Sequence, residues 1–297
     1  MKLSKLTAVA ATLCLLALPG CAAGGSGDKA GEESLTYEVA DNPTFPPGST
    51  MATLAEAGTI RVGTKIDLPG FGLKGLDGVP RGFDIEIARM IAAKLGIPTS
   101  GIEFVDTPSK FREENILTDK VDMVIATYVI NEERQKRISF AGPYYPGGAA
   151  LMVRGDSDIV VDDLKDPSKK VCMGIGSIEQ QLIKPHLGDF DGQKVEFDTH
   201  SKCVDALMTN QVDAFTSTDA ILLGVEAEHD GEVKIAGANY APEDFGVGIR
   251  HGDTQFCEFI SDVLVDAAAT GVYAKAWAES GPNPEKIPEL PEQMPCK

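Results

Sequence analysis

The chain has 297 residues and a formal net charge of −18 at neutral pH, with 45 acidic against 27 basic side chains. That balance excludes a basic face that tracks phosphates, so nucleic acid is not expected as a partner. Any anionic ligand must be held by a local cluster of Arg, Lys or helix ends that overcomes the field of the whole molecule.

In chain order, Lys2 and Lys5 make a short basic start and Leu6 to Leu18 is mostly apolar. A membrane span needs about 20 apolar residues, so this run fits the core of a secretory signal peptide instead. The following Leu18-Pro19-Gly20-Cys21 resembles the lipobox of bacterial lipoproteins, in which the cysteine is acylated. Residues 1–20 are therefore expected to be a signal peptide. Residues 21–50, rich in Gly, Ser, Pro and charge, are expected to form a flexible tether behind a lipid anchor at Cys21. The expected location is extracytoplasmic, at the cell membrane through that anchor only.

The remainder alternates strands and helices. Thr59–Gly63 reads as a strand and Phe83–Leu95 as a helix closed by Gly96. Glu103–Val105 reads as a strand, Ser109–Thr118 as a helix and Val121–Ala126 as a buried parallel strand. A second block repeats the plan, with strands at Lys169–Ile175, Val195–Phe197 and Val212–Ser217 and helices at Ser177–Lys184 and Ser201–Thr209. Two more helices are expected near Phe256–Ala269 and Tyr273–Glu279. Such alternation argues for parallel α/β sheets. An internal echo supports two lobes built alike: Leu117–Thr127 (LTDKVDMVIAT) parallels Met208–Thr218 (MTNQVDAFTST). In open α/β sheets, ligands bind at the carboxyl edge where such strands end.

Of six cysteines, Cys14 lies in the signal and Cys21 is assigned to lipid, which leaves Cys172, Cys203, Cys257 and Cys296. An even number in an oxidising compartment predicts disulfides, with three pairings open. No Cys-x-x-Cys occurs and the four histidines form no ligand-spaced motif, so neither a cofactor nor a metal is expected.

Three local features carry possible chemistry. Asn131 can cap a helix whose first turn holds Glu132, Glu133 and Arg134, and an Arg beside free helix N–H groups makes a carboxylate clamp. A solvent-paired Arg is the plainer reading. Gly174-Ile175-Gly176-Ser177 joins a strand to a helix and can present N–H groups to an anion, or be a simple tight turn. Asp219, at the end of the echoed strand, is either a helix cap or a carboxylate suited to an ammonium group.

The blocks Arg81–Ala88 (RGFDIEIA), Val121–Ala126, Glu133-Arg134 and Ser139–Tyr145 (SFAGPYY) resemble those of the polar amino-acid binding proteins that serve ABC transporters. The resemblance runs from about Met51 to Pro291 with the blocks in the same order. It implies the type II periplasmic-binding-protein fold, two α/β lobes joined by a two-strand hinge. Lobe 1 is expected over residues 51–147 and 246–297 and lobe 2 over 148–245, with crossings near Gly147–Val153 and Tyr240–Val247. In that architecture the pairings Cys172–Cys203 and Cys257–Cys296 each stay inside one lobe and are favoured.

The resemblance also implies roles. Arg134 matches the residue that grips an α-carboxylate, Ser177 lies in the loop that helps hold it, and Asp219 matches the acid that binds the α-ammonium. Thr127 matches a position that meets the ligand, and Phe71 one where an aromatic covers it. Lys65, Arg112 and His200 match basic positions that neutralise a distal carboxylate in relatives binding glutamate and aspartate. Val129 and Ile178 depart from the pattern, each removing a hydroxyl. The expected function is capture of an acidic amino acid by a monomer that closes around it and delivers it to a membrane permease. Glutamine or asparagine is the alternative ligand, and a sensory module the alternative role. A dehydratase of the same fold is disfavoured because no proton-transfer pair stands apart from the binding residues.

Overall fold

The computed structural model describes residues 35–297. The signal peptide and the lipid anchor at Cys21 lie outside the described residues. The second half of the expected tether does not hang free. Leu35, Tyr37 and Phe45 pack against the main apolar cluster, and the Tyr37 hydroxyl donates to Glu86 at 2.7 Å. The compositional signal was right about polarity and missed three apolar anchors spaced along it.

The first half of the folded region contains α1 (Thr50–Ala57), β1 (Ile60–Thr64), a small antiparallel sheet of β2 (Asp67–Leu68), β3 (Gly72–Lys74) and β4 (Pro80–Arg81), then α2 (Phe83–Lys94) and β5 (Ile102–Asp106). It continues through α3 (Arg112–Leu117), β6 (Met123–Val124) and the one-turn helix α4 (Glu132–Gln135). The long strand β7 (Ser139–Arg154) leads to β8 (Val171–Gly174), α5 (Glu179–Leu182), α6 (Phe190–Gln193), β9 (Lys194–Phe197) and α7 (His200–Met208). Then come β10 (Ala214–Thr218), α8 (Asp219–Glu228), β11 (Val233–Ile235) and the second long strand β12 (Ala241–Ile249), before α9 (Thr254–Ala269) and α10 (Val272–Ser280).

The main sheet runs in the order β5-β1-β6-β12-β7-β10-β8-β9, with β11 also on β7. Each end is a parallel triplet, β5-β1-β6 and β10-β8-β9, as the alternating pattern predicts. The middle is antiparallel. Strand β7 pairs with the end of β12 through Ser139↔Ile249 and with β10 through Ala149↔Thr218, so one strand serves both lobes. This antiparallel seam was absent from the strand-by-strand reading because its Pro and Gly residues mark a crossing more strongly than a strand.

The internal echo has a structural cause. Asp119 and Asn210 both take left-handed backbone conformations, with φ of 55° and 60°, and turn the chain after α3 and α7. Three residues later, Asp122 Oδ2 accepts from Arg61 N at the start of β1, and Asp213 Oδ2 accepts from Lys170 N just before β8, both at 2.8 Å. Each aspartate thus pins its strand's neighbour in register. Disulfides join Cys172 to Cys203, tying β8 to α7, and Cys257 to Cys296, tying α9 to the C-terminal segment.

One apolar cluster holds most of the first lobe's core, including Phe83, Ile87, Ile91, Phe245 and Trp277. It also takes in Ile178, Ala220 and Ile221 from the second lobe, so the two halves touch through side chains as well as through the seam.

Candidate functional site

The echoed segments end at Thr127 and Thr218, and both residues line one small cavity between the lobes. Its walls come from both halves: Lys65, Ser109, Arg112, Thr127 and Val129 from the first, and Ser177, Ile178, Glu179, His200, Thr218 and Ile221 from the second. Five of the residues singled out in the sequence (Lys65, Arg112, Thr127, Ser177 and His200) therefore share one space.

Lys65 follows β1, which ends against β5 and β6 and so delivers the side chain to the carboxyl edge of the sheet. Its Nζ lies 3.0 Å from His200 Nδ1, across the interlobe boundary. Burial lowers the ammonium to about 8, which leaves it protonated at neutral pH, while burial and the nearby Lys65 charge hold His200 well below the usual imidazole range. The neutral ring accepts from the ammonium through Nδ1, so its proton sits on Nε2. That Nε2 is buried and has no hydrogen-bond partner, and neither has the buried Oγ of Ser177. Buried polar atoms without partners are few in native proteins, and here two of them belong to residues lining one cavity.

Arg112 is aimed by its own helix. Its Nε donates to Ser109 O at 3.2 Å and its Nη1 to Ala126 O and Thr127 O at 3.2 and 3.3 Å. The guanidinium carbon stands 4.2 Å from the centre of the Tyr128 ring, a cation–π contact. Burial lowers Arg112 to about 10, so it stays charged at neutral pH.

Thr127 has φ of 46°, which is strained for a β-branched residue. The strain is held by Asp84, whose Oδ2 accepts from Thr127 N at 2.9 Å while its Oδ1 accepts from the Tyr144 hydroxyl at 2.7 Å. Burial raises the Asp84 carboxyl to about 6.

Arg134 stands at the cavity's margin, in an adjoining open cleft whose walls include Ser109, Gly176, Ser177 and Ile178. The Asn131 side chain caps the turn by accepting from Arg134 N at 2.9 Å. The guanidinium donates to Val129 O at 2.5 Å and, across the lobes, to Gly176 O at 3.3 Å, with Glu113 at 3.4 Å from Nε. Gly176 has φ of 77°, and a Cβ there would fall 2.7 Å from Lys110 Cα, so only glycine lets the two loops meet this closely.

Two expected ligand residues lie elsewhere. Phe71 is fully buried and makes edge-on contacts with Phe83, Tyr145, Phe245 and Trp277, so its ring belongs to the first lobe's core and covers nothing in the cavity. Asp219 is turned away from the cavity. Its carboxylate accepts from Gly148 N, Ala220 N and Asn239 Nδ2 at 3.2, 2.7 and 2.6 Å, and Thr218 takes the lining position one residue earlier. Being first in α8, Asp219 faces the helix amides and the β7 backbone, a one-residue offset that alignment by motif does not resolve.

The residue that motif reasoning missed is Glu179. It is 4% exposed, lines the cavity and makes its charge felt at both Lys65 and Arg112. Its signal was its place two residues after Ser177 in the loop already singled out. Val129, Ile178 and Ile221 make the apolar part of the wall, so the two lost hydroxyls are replaced by hydrocarbon.

The description of the bacterial extracellular solute-binding proteins of family 3 matches residues 60–279. The glutamate-binding protein GluB of Corynebacterium efficiens is 33% identical over 244 residues, covering 78% of this chain and 82% of the relative. A glutamine-binding protein of Geobacillus stearothermophilus is 30% identical over 257 residues, covering 86% and 95%. Among solved structures, an ancestral arginine-binding protein bound to arginine superposes with a TM-score of 0.69 at 33% identity, covering 75% of this chain and 98% of the other.

Proposed function

The chain belongs to the bacterial extracellular solute-binding proteins of family 3, and on that premise we propose that it captures glutamate, or aspartate, between its two lobes. It has the type II periplasmic-binding-protein fold, and it is an amino-acid-binding protein serving an ABC permease, not an enzyme. The acidic preference rests on one observation above the others. Two protonated cations, Lys65 and Arg112, and the donor Nε2 of His200 converge on a single small cavity. Anionic oxygens gain most from such charge-assisted donors in a place that excludes water.

In this reading Arg134 and Ser177 take the α-carboxylate at the cavity's outer margin, and Lys65, Arg112 and His200 take the distal carboxylate. The lobes, proposed as 51–147 with 246–297 and as 148–245, close because the ligand's contacts are complete only when both sides are present. Cys21 carries the lipid that keeps the protein at the membrane, and the chain works as a monomer.

Glutamine is the second reading. It is supported by the glutamine-binding relatives and by the neutral His200, which donates to an amide oxygen as readily as to a carboxylate. Calorimetric titration with glutamate, aspartate, glutamine and asparagine separates the two. Tightest binding of glutamate or aspartate is expected, and Arg134→Ala should weaken all four by about 30-fold or more, as for loss of one partner from a buried charged contact. Tighter binding of glutamine would replace the acidic assignment. Retention of binding in the Arg134 variant would remove that residue from the site.

A further inference from the structure

We propose that Glu179, in place of Asp219, receives the ammonium group of the bound amino acid. The inference rests on the amino-acid reading above and assigns one contact within it. A free amino acid with an acidic side chain brings two carboxylates and one ammonium. Arg134, with Lys65 and Arg112, supplies cations for the first two, and one buried acid is still required, since an ammonium taken from water without a partner is heavily penalised.

In the first lobe Asp84 is taken up by Thr127 N and the Tyr144 hydroxyl and Glu113 by Arg134, and among three acids of the second lobe geometry decides. Asp219 already has its oxygens engaged by Gly148 N, Ala220 N and the Asn239 amide, and it does not line the cavity. Glu243 sits behind Thr218, whose hydroxyl donates to its Oε2 at 2.7 Å. Burial, and next the Glu179 charge, push the Glu243 carboxyl well above the usual range, and it does not line the cavity. Glu179 is the acid in the cavity wall itself.

Its position suits the role. Glu179 begins α5 directly after Ser177-Ile178, so the loop that offers the Ser177 hydroxyl to the α-carboxylate carries an acid two residues on. An α-carboxylate and an α-ammonium share one carbon, so their partners must be close together. Thr218, the residue at the end of the echoed strand, contributes a hydroxyl already committed to Glu243 and cannot supply the charge.

The test is calorimetry on the mature chain with glutamate and with glutarate, the same dicarboxylate without an ammonium group. Glu179→Gln is expected to weaken glutamate by about 30-fold or more while leaving glutarate within about 3-fold of the unmutated protein. Asp219→Asn is expected to leave glutamate within about 5-fold. Loss of both ligands in Glu179→Gln would mean that the residue only shapes the cavity, and loss of glutamate in Asp219→Asn would return the contact to that aspartate; either overturns the proposal. If Glu179→Gln does not fold, Glu179→Met carries the same comparison. If glutamine proves the tighter ligand, it and its counterpart lacking the amino group replace the pair. An unmutated protein that binds none of the four amino acids refutes the amino-acid reading itself, whereas normal glutamate binding with no effect at Glu179 refutes only this assignment.

Discussion

Lys65 shows how a single side chain joins stability to binding. Its ammonium is 5% exposed and, because of burial, titrates at about 8 against an ordinary 10.5. Between those values the unfolded chain holds the proton and the folded chain does not, so stability must rise with pH across that window. The contribution amounts to about 3 kcal/mol at most, present in full above the unfolded value and absent below pH 8. Urea melts of ligand-free protein should show that gain between pH 7.5 and 10, and Lys65→Met should lack it; equal slopes would contradict the burial argument. Binding has the opposite sign, because the protonated form is the one that attracts a carboxylate. Glutamate affinity should fall as pH passes 8, and glutamine affinity should change less. The position of Lys65 near β1 was legible in the sequence. The 3.0 Å contact that fixes its partner was not, since His200 lies 135 residues away.

The elements around the site contain a clasp between lobes. Helix α7 begins at His200 after Thr199, whose side chain makes no capping bond. The cap is supplied by Asp67 of the first lobe, whose Oδ2 accepts from His200 N at 3.0 Å and from Ser201 N at 3.4 Å. A carboxylate at a helix start satisfies open N–H groups and opposes the positive end of the helix dipole. Donor and acceptor sit on opposite sides of the proposed interlobe cleft, so hinged closure as proposed would form this cap. Asp67→Ala should therefore weaken ligand binding by roughly 0.5–2 kcal/mol, the usual value of a cap, while leaving the melting temperature of the ligand-free protein nearly unchanged. A comparable loss in the ligand-free melt would instead indicate a molecule that stays shut. Periodicity found α7 and its length to within a residue or two, as expected for a helix with one apolar face. It could not find a cap provided from 133 residues away.

At the scale of the whole molecule, the halves meet through three polar contacts (Lys65 with His200, Asp67 with α7, Arg134 with Gly176) and through Ile178, Ala220 and Ile221 on the first lobe's core. The connection between them is the antiparallel pair β7 and β12, in which a register shift falls between Phe245 and Val247. A bulge weakens local pairing and lets strands bend, which suits a hinge. Ligand-free protein in solution should therefore populate more open forms, and saturating ligand should lower the radius of gyration towards the roughly 18 Å of a compact chain of this size. Small-angle scattering with and without glutamate checks this; identical profiles would remove hinged closure from the mechanism.

The sequence by itself determined what depends on neighbours along the chain. That includes the alternation of elements, the two matched segments ending at Thr127 and Thr218, and the turn that presents Arg134. Hydrophobic period, turn residues and helix caps are local, so they can be read without coordinates. Only the tertiary structure decided which charged groups share the cavity. A one-residue offset at the start of α8 takes Asp219 out and brings Thr218 in, and packing among aromatic rings removes Phe71, while the turn after Ser177 brings Glu179 inside. Side-chain direction at a strand-to-helix junction depends on what the opposite lobe leaves room for, and no local pattern carries that information.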